Sequence, residues 1–102
     1  MYIRQDYINE IDKYIRHVAK NSDVVAVYSY GSISAPGFSD IDLIVVTKNK
    51  VSNSNDLSAR NNGFNKDMFI HDVFVVPDSL FSHIRSLNYF YKIKALWSRD
   101  GF

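Results

Sequence analysis

Apolar residues recur near the start of the chain at the three-and-four spacing of one helical face: Ile3, Tyr7, Ile8, Ile11, Tyr14, Ile15 and Val18. That period predicts an amphipathic helix over residues 3–19. Asn21, Ser22 and Asp23 break it with turn chemistry. The next run, Val24 to Tyr30 (VVAVYSY), is β-branched and aromatic and predicts a strand. Gly31 ends that strand, and residues 32–39, which hold Pro36 and Gly37, read as a short loop. Asp40 to Thr47 (DIDLIVVT) turns apolar after its opening acids, as expected of a strand interior to a sheet.

Polar positions then take over. Residues 48–66 contain six Asn and little to bury, which predicts a mobile loop with a helical turn near Leu57. Asp67 to Val76 (DMFIHDVFVV) predicts a third strand, closed by Pro77. Asp78 is a suitable N-cap for a helix carrying Leu80, Phe81, Ile84 and Leu87. Tyr89 to Trp97 has strand composition and meets a turn at Asp100-Gly101. The order helix, strand, strand, strand, helix, strand, with no repeat or linker, predicts one α/β (α+β) domain with a small mixed sheet flanked by helices. Its ending, Arg99-Asp100-Gly101-Phe102, would suit the N-terminal part of a longer protein.

Composition narrows the classes. Hydrophobic residues at 46% and aromatics at 15% argue against disorder. Twelve basic against eleven acidic side chains leave a net charge of +1, so nucleic acid is not indicated as a partner. Zero cysteines exclude a disulfide scaffold, a thiolate zinc site and a thiol nucleophile. The N-terminus is charged throughout, unlike a signal peptide, and no apolar run approaches the roughly 20 residues of a membrane span. A cytoplasmic domain with no membrane partner is expected.

Among the acids, Glu10 is the single Glu and the rest are Asp, a short side chain suited to caps, turns and metal sites. Two features lie close together: Gly31-Ser32 after a strand, and Asp40-Ile41-Asp42 opening the next. Alternation puts Asp40 and Asp42 on one face of that strand. Carboxylates so close repel unless a cation lies between them, and Mg²⁺ commonly uses one or two carboxylates with substrate phosphates. Gly31 permits close backbone approach to a phosphate, and Ser32 offers a hydroxyl.

A third acid, Asp72, falls inside the predicted third strand and needs a metal or a donor there. Three Asp on adjacent strands facing one way would make a two-metal site. The plainer alternatives are a turn pair at 40–42 and a buried Asp72 satisfied by a neighbouring hydroxyl or amide. His71 alternates away from Asp72, and His17 and His83 are too far apart in sequence to suggest zinc.

The segment YGSISAPGFSDIDLIVV resembles the nucleotidyltransferase superfamily, with its polymerase-beta-like fold. The family pattern is an apolar strand, Gly-Ser or Gly-Gly, a spacer, Asp-x-Asp or Asp-x-Glu in an apolar strand, and a later strand acid. Gly31-Ser32, Asp40-x-Asp42 and Asp72 match it in order over Val24 to Val76. The resemblance implies a Mg²⁺-dependent enzyme that moves a nucleoside monophosphate from a nucleoside triphosphate to a hydroxyl acceptor, a small molecule or a protein. Asp40, Asp42 and Asp72 would be the catalytic and metal-binding acids.

Gly31, Ser32 and Ser34 would bind nucleotide. The spacer Ile33 to Ser39 is short and holds no basic residue, so phosphate contacts would fall to backbone amides, to Ser32 or Ser34, or elsewhere. Residues 79–99 offer Arg85, Lys92, Lys94 and Arg99 with no acid, a stretch that could face triphosphate, acceptor or solvent. The alternative reading is a non-catalytic module of the same fold, such as an antitoxin that pairs with a small helical protein. A phosphohydrolase using the same acids is a weaker third.

Overall fold

The structure is a computed structural model and describes residues 2–30, 41–86 and 93–99. Helix α1 spans Arg4–Val18, inside the predicted 3–19. Its first turn is held by the Asp6 carboxylate, which accepts a hydrogen bond from the Ile3 main-chain N–H at 2.9 Å. Tyr7, Ile11, Tyr14 and Val18 of the expected stripe are buried together with Glu10, whereas Ile3, counted in that stripe, precedes the helix and is exposed.

Strands β1 (Val24–Tyr30), β2 (Leu43–Thr47), β3 (Phe74–Pro77) and β4 (Ile93–Ser98) form one sheet in the order β3-β2-β1-β4. β1 pairs antiparallel with β2 and with β4, whereas β2 and β3 are parallel, so the sheet is mixed. β2 is interior and all five of its residues are buried, which explains its uninterrupted apolar sequence. A register irregularity between Val24 and Ala26 lets Val24 and Val27 share one face while Ala26 and Tyr28 face the other.

The two faces carry different cores. On one, α1 packs over Val24, Val27, Ile41, Leu43 and Val45, joined by Leu57, Ala59, Met68 and Phe69. On the other, Phe81 of helix α2 (Asp78–Ser86) covers Ala26, Tyr28, Ile44 and Val46, with its ring 4.6 Å from that of Tyr28. Arg99 ties the end of β4 to the α1–β1 turn. Its guanidinium donates to the carbonyls of Val24, Ala19 and Asn21 and lies 5.1 Å from the Trp97 ring centre. Among the described residues no helix is long and apolar enough to cross a membrane.

Four sequence expectations are corrected. The strand expected over 67–76 is confined to Phe74–Pro77. Met68 and Phe69 are instead in a turn, where both their main-chain N–H groups donate to the Asn65 carbonyl, and their side chains are core. A short apolar run is ambiguous between a strand and a buried turn, and burial here comes without strand pairing. The strand expected from Asp40 begins at Leu43; Asp42 precedes it and Asp40 lies outside the described residues.

The Asn-rich segment has the helical turn expected near Leu57, but it is anchored rather than the mobile loop expected of 48–66. It forms two 3₁₀ turns, Ser54–Leu57 and Arg60–Asn62, and buries Leu57 and Ala59. Side chains staple it. Tyr14 donates its hydroxyl to the Leu57 carbonyl. Glu10 accepts from the Asn65 N–H at 2.6 Å, and Asp23 accepts from the Ser52 N–H and hydroxyl at 3.0 and 2.9 Å. Last, Asp78 is the first residue of α2 rather than a cap before it; within the helix Phe81 is buried and Leu80 is exposed. Ile84 is helical, while Leu87, the start expected for the last strand at Tyr89, and the 100–101 turn fall outside the described residues.

Candidate functional site at one end of the sheet

The antiparallel and parallel pairings put several polar segments at one end of the sheet. β1 finishes there with Ser29 opposite Leu43, and β2 and β3 both begin there, with Ile44 opposite Phe74. β4 begins there as well, Ile93 pairing with Tyr30 and Lys94 with Ser29. Asp42 and Asp72 each lie two residues before Ile44 and Phe74, the first pair of the β2–β3 ladder. The two acids therefore sit at equivalent points ahead of that ladder. Tyr30 and Ile41, the flanks of the 31–40 segment, are at the same end.

The parallel β2–β3 pair makes the strands that follow the two acids adjacent, but neither acid is within a strand. Asp72 is bonded to the 58–59 segment on the α1 side, the side that Ile41 and Leu43 face rather than Asp42 between them. Gly31, Ser32, Ser34 and Asp40 lie outside the described residues. Of the basic stretch, exposed Lys94 is at this end, Arg99 is engaged at the opposite end, and Lys92 is outside the described residues. Arg85 is on α2.

Asp42 is half-buried in the segment entering β2. Its neighbours Ile41 and Leu43 face the α1 core, and the Ile41 N–H donates to the Met68 carbonyl at 2.8 Å, fixing the approach to the strand. Asp72 is not within a strand but in the segment entering β3. Its carboxylate is engaged: Oδ2 accepts the Ser58 hydroxyl, and Oδ1 accepts the main-chain N–H groups of Ala59 at 2.8 Å and Val73 at 2.9 Å. The Ser58 oxygen in turn accepts the Asn61 N–H at 3.0 Å.

Burial opposes the Asp72 charge, but the hydrogen bonds from Ser58, Val73, Ala59 and Arg60 outweigh it and hold its pKa below the usual aspartate value. Nearby, burial and then the negative charge of Asp72 push the Tyr14 phenol up, so it stays a neutral donor to Leu57.

That depressed pKa has a sign. A carboxyl that binds its proton less readily when folded contributes stability above its unfolded pKa, and loses it as pH falls through the folded value. Wild-type protein is therefore expected to lose unfolding free energy on acidification below the ordinary aspartate pKa. Asp72→Asn is expected to flatten that part of the profile, measured by urea unfolding across acidic pH. An unchanged slope in the variant would remove Asp72 from the acid response.

Ser58 and Ala59 are the residues sequence reasoning missed. The available signal was the pair Leu57 and Ala59, apolar points in the otherwise polar stretch 52–62, which bracket Ser58 and mark where the segment is anchored. Among the described residues no three His, Cys, Asp or Glu side chains form a group able to hold a metal ion. Asp40, the third acid of the motif, is outside that set. Set against protein-family models, curated proteins and solved structures, the chain matches none.

Proposed function

We propose that the protein is a Mg²⁺-dependent nucleotidyltransferase that moves a nucleoside monophosphate from a nucleoside triphosphate to a hydroxyl acceptor. The observation that carries this reading is the equivalent position of Asp42 and Asp72 in the segments that enter adjacent parallel strands, at the end where β1 finishes ahead of the Gly31-Ser32…Asp40 segment. The donor set suits a hard cation: carboxylate oxygens with no soft ligand. Asp40 and Asp42 would hold the metal, and Asp72, whose carboxylate accepts from Ser58, Ala59 and Val73, would exchange one of those bonds to join them. Bound Mg²⁺ supplies charge neutralisation for the departing pyrophosphate. Backbone amides near Gly31 and the hydroxyls of Ser32 and Ser34 would bind phosphate, and Asp72 would accept the proton of the acceptor hydroxyl.

The second reading is the non-catalytic module of the same fold, paired with a small helical protein. One observation favours it: the hydrogen bonds that occupy Asp72 have a structural purpose, anchoring the 58–60 segment. Isothermal calorimetry with a non-hydrolysable ATP analogue separates the two. The enzyme reading expects binding that appears with Mg²⁺ and disappears with EDTA. No metal-dependent binding of any nucleoside triphosphate analogue would leave the module.

A further inference from the structure

We infer that Asn62-Gly63 is a site of spontaneous deamidation that the folded 54–63 segment guards, and whose conversion releases that segment from Asp72. Asn62 is the last residue of the second 3₁₀ turn and is exposed to water. Gly63 follows at φ 82°, in the left-handed region, and open space surrounds the position its Cβ would take. With no side chain on residue 63, no Cβ crowds the approach of the Asn62 side chain to the following main-chain nitrogen.

The chemistry needs only water and base. The Gly63 nitrogen, after losing its proton to solvent base, bonds to Cγ of Asn62. The Cγ–Nδ2 bond breaks, ammonia leaves, and a cyclic imide forms. Water then opens either imide carbonyl and gives aspartate or isoaspartate at 62.

The fold restrains this reaction through the group that must leave. Nδ2 of Asn62 donates to the Asn55 carbonyl at 2.8 Å and to the Ser58 carbonyl at 2.6 Å. Those bonds aim the amide back at the preceding turn and hold the nitrogen that departs as ammonia. Reaction therefore requires local opening of the segment. After conversion the segment cannot close as before. A carboxylate at 62 would face two carbonyl oxygens with no proton to donate, and an isoaspartate also adds a methylene to the main chain.

Ser58, one of those two partners, also donates to Asp72, and the adjacent Ala59 N–H does the same. Both contacts are expected to loosen together. No other Asn in the chain precedes a Gly.

Incubation of the full chain in mildly alkaline buffer, native and in urea, followed by peptide mapping with fragmentation that separates aspartate from isoaspartate, tests the inference. In urea, Asn62 is expected to convert before the other Asn residues. In the native protein its conversion is expected to be at least about tenfold slower, as for a group that reacts only from an opened state. Asn62→Asp, which mimics one product, is expected to raise hydrogen exchange at the Ala59 amide at least about tenfold. Equal rates in native and unfolded protein would overturn the guarding, and a persistent Asn62 amide in urea would overturn the site. Unchanged exchange at Ala59 in Asn62→Asp would overturn the link to Asp72.

Discussion

Asp42→Asn is expected to reduce pyrophosphate release from nucleoside triphosphates, in the presence of Mg²⁺ and a mixture of hydroxyl acceptors, by about a thousandfold. The substitution keeps the size and shape of the side chain and removes its negative charge. Charge stabilisation by a metal held on carboxylates contributes several kcal/mol to a phosphoryl-type transition state, and about 4 kcal/mol corresponds to that rate loss. Stability is expected to change little, by less than about 1 kcal/mol, because Asp42 is only half-buried and precedes the strand rather than filling the core.

Asp72→Asn gives the contrasting result, losing stability and transfer together. One of its side-chain atoms becomes an NH₂ facing the donors from Ser58 and Ala59, so a structural cost accompanies any chemical one. A paired measurement of urea midpoint and pyrophosphate release reads both variants. Wild-type release persisting in Asp42→Asn would remove Asp42 from the chemistry and the enzyme reading with it.

The second large effect is on stability. Phe69→Ala is expected to lower the unfolding free energy by about 3–5 kcal/mol, a large share of the 5–15 kcal/mol typical of a small domain. Phe69 is fully buried, with its ring 5.6 Å from Tyr14 and 6.3 Å from Phe64 between ring centres. Its main-chain carbonyl accepts the Arg60 guanidinium at 2.6 Å. The side chain thus fills the space where α1, the sheet face and the stapled segment meet, and its removal leaves a cavity that three separately anchored elements cannot collapse into. Urea unfolding measures it. A loss below about 1.5 kcal/mol would mean that the segment repacks freely over α1.

Both results bear on one arrangement. The segment between β2 and β3 does more than connect parallel strands. It carries Ser58 and Ala59 to Asp72, buries Leu57 beside Tyr14, and closes the α1 face with Phe69. A change that displaces Ser58 or Ala59, as conversion at Asn62 is expected to do, would therefore reach Asp72 at the end of the sheet that holds the candidate acids.

Elements whose signals are local were legible in the chain. Helix α1 follows from the spacing of Tyr7, Ile11, Tyr14 and Val18, because a helix repeats its buried face within a few residues. β1 and the interior position of β2 follow from their β-branched runs. The candidate acids were legible as a motif, since Asp40-x-Asp42 after Gly31-Ser32 is a matter of order and spacing.

Tertiary structure decided the rest. Whether the segments holding Asp42 and Asp72 lead into neighbouring strands depends on strand order, which no local pattern encodes, and the parallel pairing of Ile44 with Phe74 shows that they do. The state of the Asp72 carboxylate depends on donors 13 and 14 positions away in the chain. The Asn-rich segment carries no hydrophobic period because its order comes from side chains bonded to main-chain groups, an interaction without a repeat. Periodicity reports which face of an element is buried; it does not report which polar groups meet across the fold.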